Sequence, residues 1–127
     1  MIYGIGTDLI EIDRVEKALR RFGDRFARRI LCDPELKHFR AHRKPAAYLA
    51  KRFAAKEAFT KALGTGIHAP ANWHGVWVIN LKSGKPQLEF SIELKDLLKK
   101  KHIQRSHLSL TDEREMACAT VILETAD

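Results

Sequence analysis

Between Ile2 and Ile12 the residues alternate as a strand requires, which puts Gly4, Gly6 and Asp8 on one face and Tyr3, Ile5, Thr7 and Leu9 on the other. From Asp13 the period lengthens. Val15, Leu19, Phe22 and Phe26 recur at helical spacing, with Gly23-Asp24 a break or restart, so this segment predicts one helix or two short ones. Asp33-Pro34-Glu35 predicts a helix start, the Asp side chain accepting from free amides and Pro suiting the first helical position, with the helix running to about Arg43. Pro45 then opens a second helix, Ala46 to Leu63, rich in Ala, Lys, Glu and Leu and stopped by Gly64.

Further on, Val76 to Leu81 has the β-branched and aromatic residues of a strand, and Lys82-Ser83-Gly84-Lys85 turns it back into Leu88, Phe90 and Ile92. Leu94, Leu97 and Leu98 among lysines predict a short amphipathic helix. His107 to Leu110 and Ala117 to Leu123 predict a second hairpin around Asp112-Glu113-Arg114-Glu115. The whole pattern is α+β with mostly antiparallel strands.

At 127 residues and 45% hydrophobic content the chain has the size and composition of one globular domain, and it shows no repeat or linker that would divide it. No apolar run approaches membrane-spanning length and no signal-peptide pattern develops after Met1, so a cytoplasmic protein is expected. Cys32 and Cys118 form no CxxC unit, which makes reduced, partly buried thiols the expectation. A formal charge of +7 implies an anionic partner. Nucleic acid, a nucleotide, a membrane surface and an acidic protein all satisfy that charge.

Two phosphate-binding patterns are excluded. Gly4-Ile5-Gly6-Thr7-Asp8-Leu9 lacks the third glycine of a dinucleotide fingerprint, and Gly64-Thr65-Gly66 lacks the Gly-Lys-Ser/Thr ending of a P-loop. Asp8 is different. A carboxylate within an apolar strand has to be hydrogen-bonded, paired with a cation, or exposed at an edge. Glu57 and Lys61 are four apart and share a helix face with ordinary surface character, yet together with Arg52 they offer groups for an anion and a metal. Magnesium takes one or two carboxylates and completes its shell with phosphate and water oxygens, which Asp8 and Glu57 would suit.

Arg14, Arg21, Arg25 and Arg28 follow a four-and-three spacing that forms one basic stripe on an unbroken helix, although Gly23 interrupts the run. His38 and His42 lack the Glu of the HExxH pattern and are read as surface residues, and Trp73 and Trp77 as packing.

Taken together, Gly4-Ile5-Gly6-Thr7-Asp8-Leu9-Ile10-Glu11-Ile12 and the run from Lys51 through Glu57 and Lys61 to Gly66 closely resemble the two signature segments of the holo-acyl-carrier-protein synthases, the small phosphopantetheinyl transferases. Gly84-Lys85-Pro86 and Ala117 to Glu124 fall in matching order, so the resemblance spans nearly the whole chain. It implies an antiparallel sheet packed against a long helix, and transfer of 4'-phosphopantetheine from coenzyme A to a serine of apo acyl carrier protein, in fatty acid biosynthesis. By the same resemblance Asp8 and Glu57 hold Mg2+, Lys61 contacts phosphate, and Arg52, Gly64, Gly84, Lys85 and Pro86 hold the nucleotide. Glu57, directly or through a metal-bound water, would accept the serine proton. Arg14 and Arg21 would dock the acidic carrier protein, with Arg25 and Arg28 added from spacing alone. A homotrimer with active sites between chains is also implied, with no nucleic acid or membrane partner. One departure is visible: Ser109-Leu110-Thr111-Asp112 stands where many relatives carry a Ser-x-Ser/Thr-His run, so no histidine role transfers, and none is assigned to His107. A basic module that binds nucleic acid without catalysis is the rival reading.

Overall fold

The computed structural model describes residues 1–126. Its elements, in chain order, are β1 (Ile2–Glu11), α1 (Ile12–Phe22), α2 (Asp24–Ile30), α3 (Asp33–Ala41), α4 (Pro45–Leu63), β2 (Val76–Asn80), β3 (Pro86–Phe90), α5 (Ile92–Lys100), β4 (Ile103–Asp112) and β5 (Met116–Thr125). The long C-terminal hairpin and the first strand form an antiparallel sheet in the order β1-β5-β4, while β2 and β3 pair separately. This is the α+β arrangement that the patterning predicts.

Helix α4 lies at the centre. Strong helix formers fill it and Thr60 is its one β-branched residue, so local preference and burial agree. Pro45 occupies the first turn, and Gly64 ends the helix in the left-handed conformation at φ 90°, its N–H donating to Thr60 O at 2.8 Å. Leu49, Ala54, Ala55, Ala58 and Phe59 are all fully buried, on several sides of the helix. Such a helix is core all round rather than amphipathic.

The sheet meets α4 through small residues. Ala117, Ala119, Val121 and Leu123 of β5 point at the helix and are fully buried. On β1 the same face carries Gly4, Gly6, Asp8 and Ile10. A Cβ added at Gly6 would overlap the carbonyl oxygen of Ala58, and one at Gly4 that of Ala62. The glycines therefore let strand and helix backbones touch.

Several boundaries differ from the pattern reading. Gly23, at φ 62° and ψ −144°, separates α1 from α2, so the run is two helices and Arg14, Arg21, Arg25 and Arg28 do not lie along one continuous helix face. The cap of α3 is Cys32 rather than Asp33, because Glu35 reaches back to accept from the Cys32 N–H at 2.9 Å, and the helix ends at Ala41, short of Arg43. Ile92 belongs to α5 instead of the preceding strand, since Ser91 caps that helix by accepting from Leu94 N at 3.2 Å. Cys32 and Cys118 are free and half-buried. No helix among the described residues is long and apolar enough to cross a membrane.

Candidate functional site

The backbone contact between β1 and α4 sets the site. Asp8 follows the two glycines on the face that meets α4, and Glu57 and Lys61 stand one turn apart on the facing side of the helix. Lys61 Nζ donates to Asp8 Oδ1 at 3.1 Å and to Thr7 O at 3.0 Å. The ordinary i,i+4 partnership of Glu57 with Lys61 thus gives way to a pairing across two elements. Burial lifts the Glu57 carboxyl above its ordinary range, the nearby Asp8 charge lifts it further, and Lys61 opposes both. Asp8, paired with Lys61, and Glu57 are near enough for their charges to act on each other.

That arrangement carries surplus negative charge in a half-buried place. No group of three or more His, Cys, Asp and Glu gathers as a metal cage among the described residues. Two carboxylates with access for phosphate and water oxygens are instead the donor set that magnesium favours. The residues fit the ion.

Arg52 does not join this cluster. Five residues along α4 from Arg52 to Glu57 turn the helix by about 140°, which carries Arg52 to another side. There it is buried to 6% exposure, its guanidinium stacked 4.0 Å above the Tyr48 ring, with Nη2 donating to Asn80 Oδ1 at 3.0 Å. Asn80 Nδ2 in turn donates to Gly84 O at 3.0 Å, so Arg52 is tied to the turn that carries Gly84, Lys85 and Pro86. Gly84 sits at φ 91°, a value that demands glycine, and the turn closes through Leu81 N to Lys85 O at 2.9 Å. Arg52 Nε is buried without a partner. The surrounding groove of about 590 Å³ is lined by His38, His42, Lys51 and Asn80 among others, all neutral or basic where polar.

The absence of an acidic side chain from that lining suits an anion. His38 and His42 thus contribute to a groove wall, with His42 Nδ1 accepting from Lys44 N at 3.0 Å, and do not gather with a third metal ligand. Gly64 lies exposed at the C-terminal end of α4, one turn beyond Lys61. Asp112 pairs with Lys51 Nζ at 3.4 Å. His107 pairs with Glu124 on the sheet, away from the Asp8 cluster.

Arg14 and Arg21 stand exposed on α1, and Arg25 and Arg28 on α2. Arg28 is engaged by Asp24 at 3.3 Å, and Arg21 lies over the exposed Phe22 ring. Trp73 packs on Phe53 with ring centroids 5.0 Å apart, as a packing residue should. Sequence reasoning passed over Asn80, which links Arg52 to the turn. It also passed over Glu35 and Lys56, a buried ion pair. The one available signal was Lys56 itself, a charged residue among Ala54, Ala55 and Ala58, four positions after Arg52.

Residues 4–121 match the model of the 4'-phosphopantetheinyl transferase superfamily. Over 124 residues the chain is 53% identical to a holo-[acyl-carrier-protein] synthase of Vibrio cholerae, spanning 98% of each. Its fold is similar to the crystal structure of the holo-[acyl-carrier-protein] synthase of Neisseria meningitidis, with a TM-score of 0.96 and 42% identity over 98% of this chain and 100% of that one. It is also similar to the synthase of Bacillus anthracis in complex with CoA (3',5'-ADP), with a TM-score of 0.84 and 38% identity over 99% of both.

Proposed function

The chain belongs to the 4'-phosphopantetheinyl transferase superfamily, and we propose that it transfers 4'-phosphopantetheine from coenzyme A to a serine of an apo acyl carrier protein. The observation that carries this reading is the convergence of Asp8, Glu57 and Lys61 where α4 meets β1. In the reaction the serine oxygen bonds to the β-phosphorus, the bond from the β-phosphorus to the bridging oxygen breaks, and that oxygen leaves on the α-phosphate of adenosine 3',5'-bisphosphate.

Each residue has a defined task. Asp8 and Glu57 would hold magnesium, which when bound supplies charge neutralisation on the pyrophosphate oxygens. Lys61, fixed by Asp8 and Thr7 O, presents its ammonium to the phosphate charge that grows during transfer. Glu57, a carboxylate beside Asp8 at the meeting of α4 and β1, would take the serine proton. Arg52, the Gly84-Lys85-Pro86 turn and Gly64 would hold the nucleotide portion, Arg52 being tied to that turn through Asn80.

The exposed arginines of α1 and α2 would dock the acidic carrier, Arg14 and Arg21 foremost, since Arg28 is already engaged by Asp24. We read residues 1–127 as one domain acting in the cytoplasm as a homotrimer. In support of assembly, the sheet face turned away from α4 carries Ile5 and Leu9 at 65% and 64% exposure, beside the half-exposed Ile122.

The deciding experiment is mass spectrometry of an apo acyl carrier protein incubated with coenzyme A, magnesium and this protein. The expected result is a phosphopantetheine mass gain that a chelator abolishes. A folded protein that gives no gain overturns the reading.

A further inference from the structure

Helix α4 carries two rows of functional side chains, and the second row contains a member that the transfer reaction does not explain. Arg52 and Lys56 are four apart on one side of α4, Arg52 reaching Asn80 of β2 and Lys56 reaching Glu35 of α3, whereas Lys61 reaches Asp8 of β1. Lys56 is wholly buried. Its ammonium has three protons and three acceptors: Ile30 O at 2.7 Å, Glu35 Oε1 at 2.7 Å and Trp73 O at 2.8 Å. Glu35, 1% exposed, is equally committed, with Oε1 also accepting from Cys32 N at 2.9 Å and Oε2 from Val78 N at 2.9 Å.

Two rungs therefore connect α4 to β2. The closed rung runs from Lys56 through Glu35 to the Val78 amide, every atom partnered. The open rung, one helical turn away, runs from Arg52 through Asn80 to Gly84 O and leaves Arg52 Nε without a partner. Val78 and Asn80 are two apart on one strand, so a shift of Val78 relative to Lys56 moves Asn80 relative to Arg52 by a similar amount. A buried ion pair is a poor source of stability, because packed apolar side chains of the same volume serve as well or better. Its strict geometry is what apolar packing does not supply.

We propose that Lys56 and Glu35 are positioning residues for coenzyme A affinity: the closed rung sets the spacing between Arg52 and the Asn80–Gly84 turn, independently of the Asp8, Glu57 and Lys61 cluster. This rests on the transfer reading above. It separates the two properties that α4 serves, with binding of the nucleotide depending on one row and the chemical step on the other.

Steady-state kinetics and calorimetry of full-length Glu35→Gln test it. Glutamine keeps the shape and one acceptor for Cys32 N, but removes the charge that holds Lys56 and turns an NH2 toward Val78 N, which breaks the link to β2. The Kd and KM for coenzyme A should rise roughly tenfold, the scale of one lost charge-assisted hydrogen bond, while kcat at saturation stays within about twofold. Asn80→Ala should shift KM in the same direction, and adding Glu35→Gln to it should cost less than the two single effects combined, since both act on one spacing. Where Glu35→Gln does not fold, the neutral pair Glu35→Gln with Lys56→Gln avoids an isolated buried charge and carries the same measurement. A variant that melts earlier but binds coenzyme A normally below its melting temperature, or one that loses kcat with KM unchanged, overturns the proposal. Wild-type protein that binds no coenzyme A overturns the transfer reading itself, a separate failure.

Discussion

The two seams along α4 are built on opposite principles. Against β1 the helix packs backbone to backbone, with Gly4 and Gly6 offering no side chain, and the distance between the elements is fixed by the carbonyls of Ala58 and Ala62. Against β2, beside the buried Val76 and Val78, long polar side chains, Arg52 and Lys56, reach across through Asn80 and Glu35. The first seam has no adjustable part, which suits groups that have to lie within about 3 Å of reacting atoms. The second is held by hydrogen bonds whose loss changes spacing without removing either element, which suits the grip on a large nucleotide.

The most severe way to break the comparison is Gly6→Val. Its side chain has to displace the α4 backbone, so stability should fall by about 3 kcal/mol or more, seen as a lower urea midpoint. A variant of normal stability would show that the glycine seam is loose.

Next come the carboxylates. Asp8→Asn and Glu57→Gln should each lower magnesium-dependent turnover by roughly 10²-fold to 10³-fold in the carrier assay. The Glu57 change should not cost stability. A carboxyl raised above its ordinary range binds more protons in the folded than in the unfolded state, so its ionised form works against folding and that penalty grows as pH rises through the raised range. Glu57→Gln should accordingly match or exceed the wild-type Tm at neutral pH in calorimetric scans without magnesium, and a lower Tm would argue against the burial and Asp8 repulsion described for this site.

Lys61→Ala should reduce kcat by roughly tenfold to a hundredfold with a smaller change in KM for coenzyme A, because its ammonium meets charge that develops in the transition state. A loss confined to KM would place Lys61 with Arg52 on the binding side. The smallest effect is expected away from both seams: Arg14→Glu should raise KM for the carrier severalfold while calorimetric coenzyme A binding is kept. Equal losses would mean that α1 is no separate docking surface.

Much of this was legible in the chain. The α4 boundaries could be read from Pro45 and Gly64, and the hairpin turn from Gly84, because these residues restrict the backbone locally. Asp8 stood out as a charge within an apolar strand. Glu57 did not, since Glu and Lys four apart describe countless exposed helices. The end of α1 was ambiguous because Gly23 breaks a helix in some contexts and is tolerated in others. Asn80, Glu35 and Lys56 could not be assigned at all, for their partners lie 28, 43 and 26 residues away in the bonds to Arg52, Val78 and Ile30. Family resemblance joined Asp8 to Glu57 before any geometry did.

By itself, the sequence determined most of which segments are helix and strand, that β1 presents bare backbone beside Asp8, and which residues carry charge suited to phosphate and magnesium. Those are properties of local backbone preference and of residue type. Only the tertiary structure decided that Lys61 answers to Asp8 instead of Glu57, that Arg52 serves a different groove, and that Lys56 is buried against Glu35. Such pairings depend on which faces of α4 meet which strands, and that choice is made by packing across dozens of residues, where spacing along the chain has no say.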